Sequence, residues 1–286
     1  MACLTTNTVD LVWDLTRERP TLGGALVLRQ EGELLARLHA SSMISLHALY
    51  DGDDPAAITR LTNIVFASST YTFRFTREPV PEEAWPKMTE RARPDFSYFS
   101  FSRLLEMHRT HGLMPRLQWS QRLQTQAQQA RARFPGRLIC LHLRSVAPYS
   151  PDESNADGAA WQSFLTAQAQ AGVTEFLLLG DDDLPVGLTL GAGVMRATDL
   201  ELDLPTQLAL VGCADGFLGM ASGLCTAANL SRVPHVIFKH PAHHPAEMAR
   251  ELGDADRFPF ADARQHLWRR MATSETLGEA FALISR

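Results

Sequence analysis

The chain has 286 residues, of which 45% are hydrophobic and 21% are charged, close to the averages of globular proteins. At roughly 100–200 residues per domain, this length gives one large or two modest domains. The composition excludes a disordered chain, a collagen and a small disulfide-stapled protein. The formal charge of −5 at pH 7 argues against a nucleic-acid binder with a broadly basic surface. A local basic pocket is compatible with that charge.

The sequence carries no clear membrane or export signal. No apolar run reaches the roughly 18 residues of a membrane span, and the first residues lack a cationic segment followed by an apolar stretch. We therefore expect a soluble cytoplasmic protein, with peripheral membrane association as an open alternative. No C-x-x-C pair occurs, and we interpret the cysteines as reduced thiols rather than disulfides or metal ligands: Cys3, Cys140, Cys213 and Cys225.

The pattern of predicted elements changes near residues 112–137. Before this break, the elements are mixed and rich in aromatic residues: strands at 11–15 and 63–75, a helix at 26–40, a proline-rich surface connection at 79–94 and a helix at 99–111. After it, short apolar strands alternate with helices. The strands fall at 137–143, 175–180, 194–200, 215–220 and 235–239, and the helices at 120–134, 159–171, 205–214, 222–229 and 263–284.

Strand–helix alternation at this spacing predicts a parallel sheet with helices on both faces. In such sheets, ligands bind outside the carboxyl ends of the strands. The residues that follow positions 143, 180, 220 and 239 are therefore the first candidates for chemistry.

His142 and Arg144 end the first of these strands, and alternation puts both on one face. The guanidinium is suited to bidentate binding of a phosphate, and the histidine to a second hydrogen bond. The alternative is structural, with the arginine paired to an acid and the histidine bonded to the backbone.

At the next strand end, Gly180 and Asp181 open an acidic run to Asp183. That run is either a solvated loop, a polar contact to a ligand or a magnesium site.

Ser222 and Gly223 follow the strand at 215–220. We expect them at a helix N-terminus, where unpaired N–H groups and the helix dipole attract anions. An ordinary helix capped by Ser222 is the alternative.

Lys239 precedes three histidines within five residues, His240, His243 and His244. The neighbouring prolines favour a loop that closes over a ligand rather than a metal site.

In the first half, Asp14 ends the first strand and is a candidate general base for a hydroxyl group. The alternative is that Asp14 caps a turn or pairs with Arg17 or Arg19. His39 and His47 are interpreted as structural. The sequence has no G-x-G-x-x-G after a strand, no P-loop and no G-x-S-x-G motif, so typical dinucleotide, P-loop and hydrolase sites are not indicated.

Residues 137–240 together resemble the donor-binding domain of GT-B glycosyltransferases. The resemblance rests on H-x-R at a strand end, Gly-Asp at the next, and a Ser-Gly that opens a helix: His142 and Arg144, Gly180 and Asp181, Ser222 and Gly223. The H-x-R is similar to that of protein O-fucosyltransferases and nodulation fucosyltransferases. The rest looks closer to bacterial surface-polysaccharide glycosyltransferases, which have W-D-L and then R-x-P near the start; this chain has Trp-Asp-Leu at 13–15 and Arg-Pro-Thr at 19–21. Ser145-Val146 departs from the fucosyltransferase pattern and puts GDP-fucose in doubt as donor.

The resemblance implies an α/β fold of two Rossmann-like domains whose parallel sheets face a cleft. Residues 1–118 would form a trimmed acceptor domain and residues 119–286 the donor domain. The last helix is a candidate for packing back on the acceptor domain. It implies a nucleotide-sugar as co-substrate, with no bound metal and no other cofactor. Arg144, the amides at Ser222-Gly223 and, more weakly, Lys239 would hold the diphosphate, and Asp14 would act as base.

Three functions follow as hypotheses. The first is a glycosyltransferase that moves a sugar from a nucleotide donor to a glycan or another cytoplasmic acceptor. The second is a catalytically silent protein that binds nucleotide-sugars or acts as a scaffold in polysaccharide assembly. The third is a sugar-nucleotide epimerase or hydrolase with the same fold.

Overall fold

The computed structural model describes residues 8–51, 55–145, 155–191 and 193–286. Cys3 and Val146, named above, lie outside these residues. The chain divides into two compact units, Met1–Ser120 and Gln121–Arg286, and the division falls two residues from the predicted boundary. Each unit is described by itself below.

The first unit is built on a parallel three-stranded sheet in the order β1-β2-β3. Its strands are β1 (Thr8–Asp14), β2 (Met43–Leu49) and β3 (Thr72–Thr76). Its helices are α1 (Leu22–Leu38), α2 (Pro55–Leu61), α3 (Met88–Arg91) and α4 (Ser102–His111), with a π-helical segment at Thr62–Phe66. Gly112 ends α4 in the left-handed region, as its position after a predicted helix indicates.

The crossover helix α1 is buried on nearly all sides, although its sequence includes several ionisable residues. Arg29, Glu31 and Glu33 are at most 1% exposed. Glu31 accepts from Arg103 Nε at 2.9 Å and from Trp85 Nε1 at 2.7 Å. The Arg29 guanidinium donates to Glu33, Val65, Ser68 and Gln118. Buried charges persist only when they are paired in this way.

Two predictions for the first unit are wrong in part. Residues 63–75 are not one strand, because Phe66 packs on Trp13 with ring centroids 5.6 Å apart and the Val65 carbonyl accepts from Arg29. These tertiary contacts favour a helical turn over the β-propensity of the segment. The proline-rich connection is also more than a surface loop. Trp85 exchanges backbone hydrogen bonds with Asp10 and Val12, and so covers the free edge of β1.

The second unit contains a parallel six-stranded sheet in the order β6-β5-β4-β7-β8-β9. Its strands are β4 (Arg137–His142), β5 (Thr174–Leu178), β6 (Val194–Arg196), β7 (Gly216–Met220), β8 (His235–Phe238) and β9 (Gln265–Trp268). Its helices are α5 (Gln121–Arg131), α6 (Gly158–Ala171), α7 (Leu204–Val211), α8 (Cys225–Asn229), α9 (Pro245–Leu252) and α10 (Ser274–Ser285). The predicted α/β fold with parallel sheets is confirmed.

This strand order is that of a doubly wound sheet, with the direction of winding reversed between β4 and β7. Right-handed crossovers on either side of the reversal place helices on both faces. A large core cluster joins alternate residues of β4 and β7 to α6 and α10, including Leu141, Leu218, Trp161 and Ile284. The predicted caps Asp157 and Asp203 are confirmed, since each accepts backbone N–H groups of the helix that follows it.

The predicted helix at 263–284 is wrong in its first half. Residues Gln265–Trp268 instead form the edge strand β9, and the helix begins only at Ser274 after the N-cap Thr273. Trp268 packs edge-on against Phe238, and its carbonyl accepts from Lys239 N at 2.8 Å. Pairing with β8 therefore overrides the helical pattern.

Within the described residues, no helix is long and apolar enough to cross a membrane.

The buried pair on α1 gives a stability prediction. Arg29→Met leaves the Glu33 carboxylate buried without its cation, so the free energy of unfolding should fall by about 3–5 kcal/mol. The double variant Arg29→Met/Glu33→Met should recover part of that loss, because no uncompensated charge remains. Urea unfolding of both variants measures the effect.

Arg109→Met is the matched control, since Arg109 forms an exposed pair with Glu106 on α4 and its loss should leave the unfolding midpoint unchanged. An Arg29→Met protein as stable as the parent would contradict the assigned role of the buried pair.

Candidate functional site

The carboxyl ends of β4 and β7 lie side by side at the point where the winding of the larger sheet reverses. His142 of β4 is in register with Gly219 of β7. Arg144 follows β4 by two residues, and the turn of Ala221, Ser222 and Gly223 follows β7 directly. The structure thus brings the two elements of the predicted diphosphate site, Arg144 and the turn at Ser222-Gly223, to the position where doubly wound sheets bind ligands.

The turn after β7 differs from its prediction. Helix α8 begins at Cys225, three residues later than expected, and Ser222 is not its N-cap. The Cys225 thiol fixes the turn instead, because its Sγ donates to the Met220 carbonyl at 2.8 Å while the Ser222 Oγ accepts from Cys225 N at 3.4 Å. Burial raises the pKa of this thiol to about 12, although nearby Arg144 acts in the opposite direction.

Three consecutive backbone N–H groups of this turn have no acceptor among the described residues: those of Ser222, Gly223 and Leu224. The N–H groups on either side are engaged, since Ala221 N donates to the Phe238 carbonyl at 2.8 Å and Cys225 N to Ser222. Successive free N–H groups in a turn form a concave site for anions. The N–H groups without an acceptor therefore belong to the turn after β7 and not to the first turn of α8.

His142 is 5% exposed, and its Nδ1–H donates to the Leu179 carbonyl at 3.2 Å. Burial lowers its pKa, and Arg144 lowers it further, against the opposing effect of Asp182 and Asp181. The ring is consequently neutral near pH 7, and its second nitrogen, Nε2, carries a lone pair. A neutral ring in this tautomer accepts a hydrogen bond from a hydroxyl group and has no second N–H to donate to a phosphate.

Gly180 lies beside this ring at the end of β5. Its φ of +92° is in the region that favours glycine, and a Cβ there would lie 3.3 Å from His142 Nδ1. Its N–H donates to Gln207 Oε1 at 2.8 Å, while Gln207 Nε2 donates to the Leu202 carbonyl at 2.8 Å. Sequence reasoning missed Gln207, whose only signal is an amide within the apolar helix α7.

The acids after β5 are solvent-facing. Asp181 is exposed and Asp182 half-buried, and the Asp182 carbonyl accepts from Arg196 at 3.2 Å. Within the described ranges, no group of three or more histidine, cysteine, aspartate or glutamate side chains is placed to hold a metal ion. Asp181 and Asp182 act electrostatically on His142, whose pKa they raise.

Lys239 ends β8 and is only 4% exposed. Burial lowers the pKa of its ammonium group, while Glu247 and Glu251 of α9 raise it. His243 follows in the turn before α9, and burial lowers its pKa to about 4, together with the charges of His244, Lys239, Arg144 and His240. Basic side chains from two strand ends therefore act on one another at this edge of the sheet.

In the first unit, Asp14 is 8% exposed at the end of β1 and pairs with Arg91, not with Arg17 or Arg19. Its Oδ2 lies 3.2 Å from Arg91 Nη1, and its Oδ1 accepts from Thr16 Oγ1 at 2.7 Å. The predicted structural role of His47 agrees with its bonds to Asp10 and the Glu78 carbonyl.

A cavity of about 460 Å³ adjoins this position, at the carboxyl ends of the three strands of the smaller sheet. It is lined by Thr16, Ala48, Leu49, Tyr50, Asp51 and Arg77. The Arg77 guanidinium lies over the Tyr50 ring, 5.0 Å from its centre. The mixture of an aromatic face, a carboxylate, a guanidinium and a hydroxyl group suits a polyhydroxylated ligand.

Comparison with solved structures identifies the fold. The glycosyl transferase family 9 protein of Veillonella parvula matches with a TM-score of 0.61 at 12% identity, over 97% of each chain. The dodecameric iron-containing heptosyltransferase TibC in complex with ADP-D-β-D-heptose matches with a TM-score of 0.55 at 14% identity, over 98% of this chain and 76% of that one. Escherichia coli heptosyltransferase WaaC with ADP-2-deoxy-2-fluoro heptose gives 0.50 at 12% identity, over 96% and 98%.

No protein-family model and no curated protein matches the sequence. At these identities the structural matches establish the fold alone. The chain has the fold of GT-B glycosyltransferases, and the resemblance drawn from its sequence is confirmed at that level.

The environment of Gly180 can be tested by substitution. Gly180→Ala should lower the free energy of unfolding by about 1–2 kcal/mol for the left-handed backbone, and further because the new methyl group crowds His142. Gly172→Ala is the control, since Gly172 has a φ of +71° but open space around it. Chemical denaturation compares the two.

A larger loss for Gly180→Ala than for Gly172→Ala is the expected result. Equal losses would show that the methyl group meets no resistance from the His142 ring.

Proposed function

We propose that the protein is a glycosyltransferase that transfers a sugar from a nucleotide-sugar to an acceptor hydroxyl group. The observation that carries this proposal is the run of three N–H groups at 222–224, which have no acceptor among the described residues, beside the strand that leads to Arg144 at the reversal point of the larger sheet. A diphosphate needs both hydrogen-bond donors and positive charge, and this edge of the sheet supplies both.

Each residue at this edge has a proposed part in donor binding. Arg144 and the amides of Ser222 and Gly223 bind the diphosphate, and Lys239 adds positive charge. Gly180 and Asp181 border the site, and neutral His142 accepts from a donor hydroxyl group. As the bond to the sugar breaks, negative charge grows on the departing diphosphate, and fixed donors and cations stabilise it. We propose that these groups of the chain do so without a bound metal.

The acceptor side of the proposal uses the first unit. The cavity beside Thr16 is suited to a glycan, and Asp14 is the proposed base that takes the proton of the attacking hydroxyl group. The Thr16 hydroxyl that donates to Asp14 Oδ1 at 2.7 Å occupies the kind of position an acceptor hydroxyl would need. Arg91 pairs with the same carboxylate, with its Nη1 3.2 Å from Asp14 Oδ2.

The donor proposal begins with adenosine nucleotides because two of the similar structures hold ADP-linked heptose or its fluoro analogue. The proposed acceptor is a glycan of polysaccharide assembly on the cytoplasmic side of a membrane. We propose that the protein approaches this glycan without spanning the membrane.

A thermal-shift panel of ADP-heptose, ADP-glucose, GDP-fucose and UDP-glucose tests the donor site, since a ligand of the folded state raises the melting temperature. Arg144→Ala should weaken binding of the corresponding nucleoside diphosphate by about 1.5–3 kcal/mol in calorimetry. Arg137→Ala is the control, because Arg137 begins the same strand at its opposite end.

Unchanged affinity in Arg144→Ala would remove this arginine from the site, and a panel without any stabilising ligand would contradict the proposed function. Binding without sugar turnover would favour a silent binding protein. Sugar release or alteration without an acceptor would favour a hydrolase or epimerase.

Asp14→Asn tests the base. Turnover should fall by about 10²–10⁴-fold while donor affinity changes little, because the carboxylate acts only on the acceptor. Arg91→Met is the matched control, since it breaks the same ion pair but keeps the carboxylate. Single-turnover kinetics of both variants separates the two roles.

If Asp14 only stabilises the fold, the two variants should lose equal activity. That outcome would reject the assignment of Asp14 as base.

A further inference from the structure

The turn between β8 and α9 carries three histidines that the proposed function does not yet use. Its backbone is ordered by His243 N, which donates to the His240 carbonyl at 2.9 Å, and by Ala242 N, which donates to His240 Nδ1 at 3.1 Å. The rings of His243 and His244 lie 4.3 Å apart. Because the described part of the chain offers no set of side chains able to hold a metal here, the cluster needs another explanation.

The electrostatic surroundings of His243 are one-sided. The ring is half-buried, and the charges that act on it most strongly are basic: His244 and His240 of its own turn, Lys239 of β8 and Arg144 after β4. The acids nearby serve other groups. Glu247 of α9 lies 3.7 Å from His244, Glu247 and Glu251 act on Lys239, and Asp181 and Asp182 after β5 act on His142.

We propose that His243 takes up a proton from solvent when the donor diphosphate binds, and so becomes a further cationic contact to that diphosphate. The inference rests on the proposed function, because it requires a diphosphate at the edge formed by Arg144, Lys239 and the turn after β7. It assigns to His243 the role of a binding residue whose charge depends on the ligand.

The physical reason is the reversal of the local potential. Without a ligand, burial and then the charges of its basic neighbours hold the pKa of His243 at about 4. A diphosphate bound among them supplies two negative charges, and a nearby opposite charge shifts a pKa by about 1–3 units. We therefore expect the pKa of His243 in the complex to rise to about 6.

The sign of the pH dependence follows from linkage. Because the complex holds the His243 proton more tightly than the free protein, lowering the pH through the window between about 6 and about 4 favours the complex. A shift of two units makes the donor about tenfold tighter at pH 5 than at pH 7.5. At pH 5.5, binding takes up about 0.7 proton per protein molecule.

Calorimetry at pH 5.5 in two buffers with different heats of ionisation measures this proton uptake directly. The probe is ADP-heptose or, where another member of the panel stabilises the protein more, that nucleotide-sugar. Both phosphates of a nucleotide-sugar are diesters, so the ligand lacks the terminal phosphate group of a free nucleoside diphosphate, whose pKa near 6 would add its own protons.

His243→Gln keeps a polar side chain of similar size and removes the titration. Its proton uptake at pH 5.5 should fall close to zero, and the gain in donor affinity between pH 7.5 and pH 5 should be lost with it. His266→Gln is the control, since His266 of β9 pairs with Asp256 and should leave the uptake unchanged.

Histidine NMR on the unsubstituted protein gives a measurement that does not depend on a variant. The ring resonance that is lost in His243→Gln should titrate with a midpoint near 4 without ligand and about two units higher with it.

Equal proton uptake in the parent and in His243→Gln would overturn the proposal, as would a His243 midpoint that does not move. Failure of every nucleotide-sugar to bind would instead remove the proposed function, and this proposal with it.

Discussion

Positive charge is concentrated at the carboxyl edge of the larger sheet, and this concentration is the main electrostatic constraint on the second unit. Arg144 and Lys239 follow the ends of β4 and β8, and the turn after β7, which lies between these strands, adds three N–H groups without an acceptor in the described part of the chain. Burial lowers the pKa of Lys239, and the same charges with burial lower that of His243. Folding therefore assembles groups that repel one another, an arrangement that an anion relieves.

Strand positions and the parallel sheet could be predicted because their signals are local. The run at 137–143 is continuously apolar, and Asp157, Gly172 and Asp203 mark helix ends through their own backbone preferences. The rule that ligands bind at carboxyl ends then selected Arg144 and Ser222 without any knowledge of distances. Topology thus carried the site prediction, since the adjacency of β4 and β7 follows from the winding of the sheet.

What the sequence did not reveal depends on partners far apart along the chain. Apart from the Arg29–Glu33 pair, the buried Arg29 and Glu31 on α1 find their partners 36 to 89 residues away, so the pattern of apolar spacing alone does not predict their burial. The edge strand β9 exists because β8 offers it a ladder, and the late start of α8 follows from the Cys225 thiol bond to Met220. The tautomer of His142 likewise depends on the Leu179 carbonyl, which no local motif encodes.

The sulfur atom of Cys225 has a consequence for how the protein withstands oxidising conditions. Only the thiolate reacts readily with peroxides and alkylating agents, and a thiol that is 1% exposed with a pKa raised to about 12 supplies almost none of it. A chemically sensitive side chain thus holds the turn after β7 in shape while remaining inert. Redox damage should reach this part of the molecule only after the native packing around it has opened.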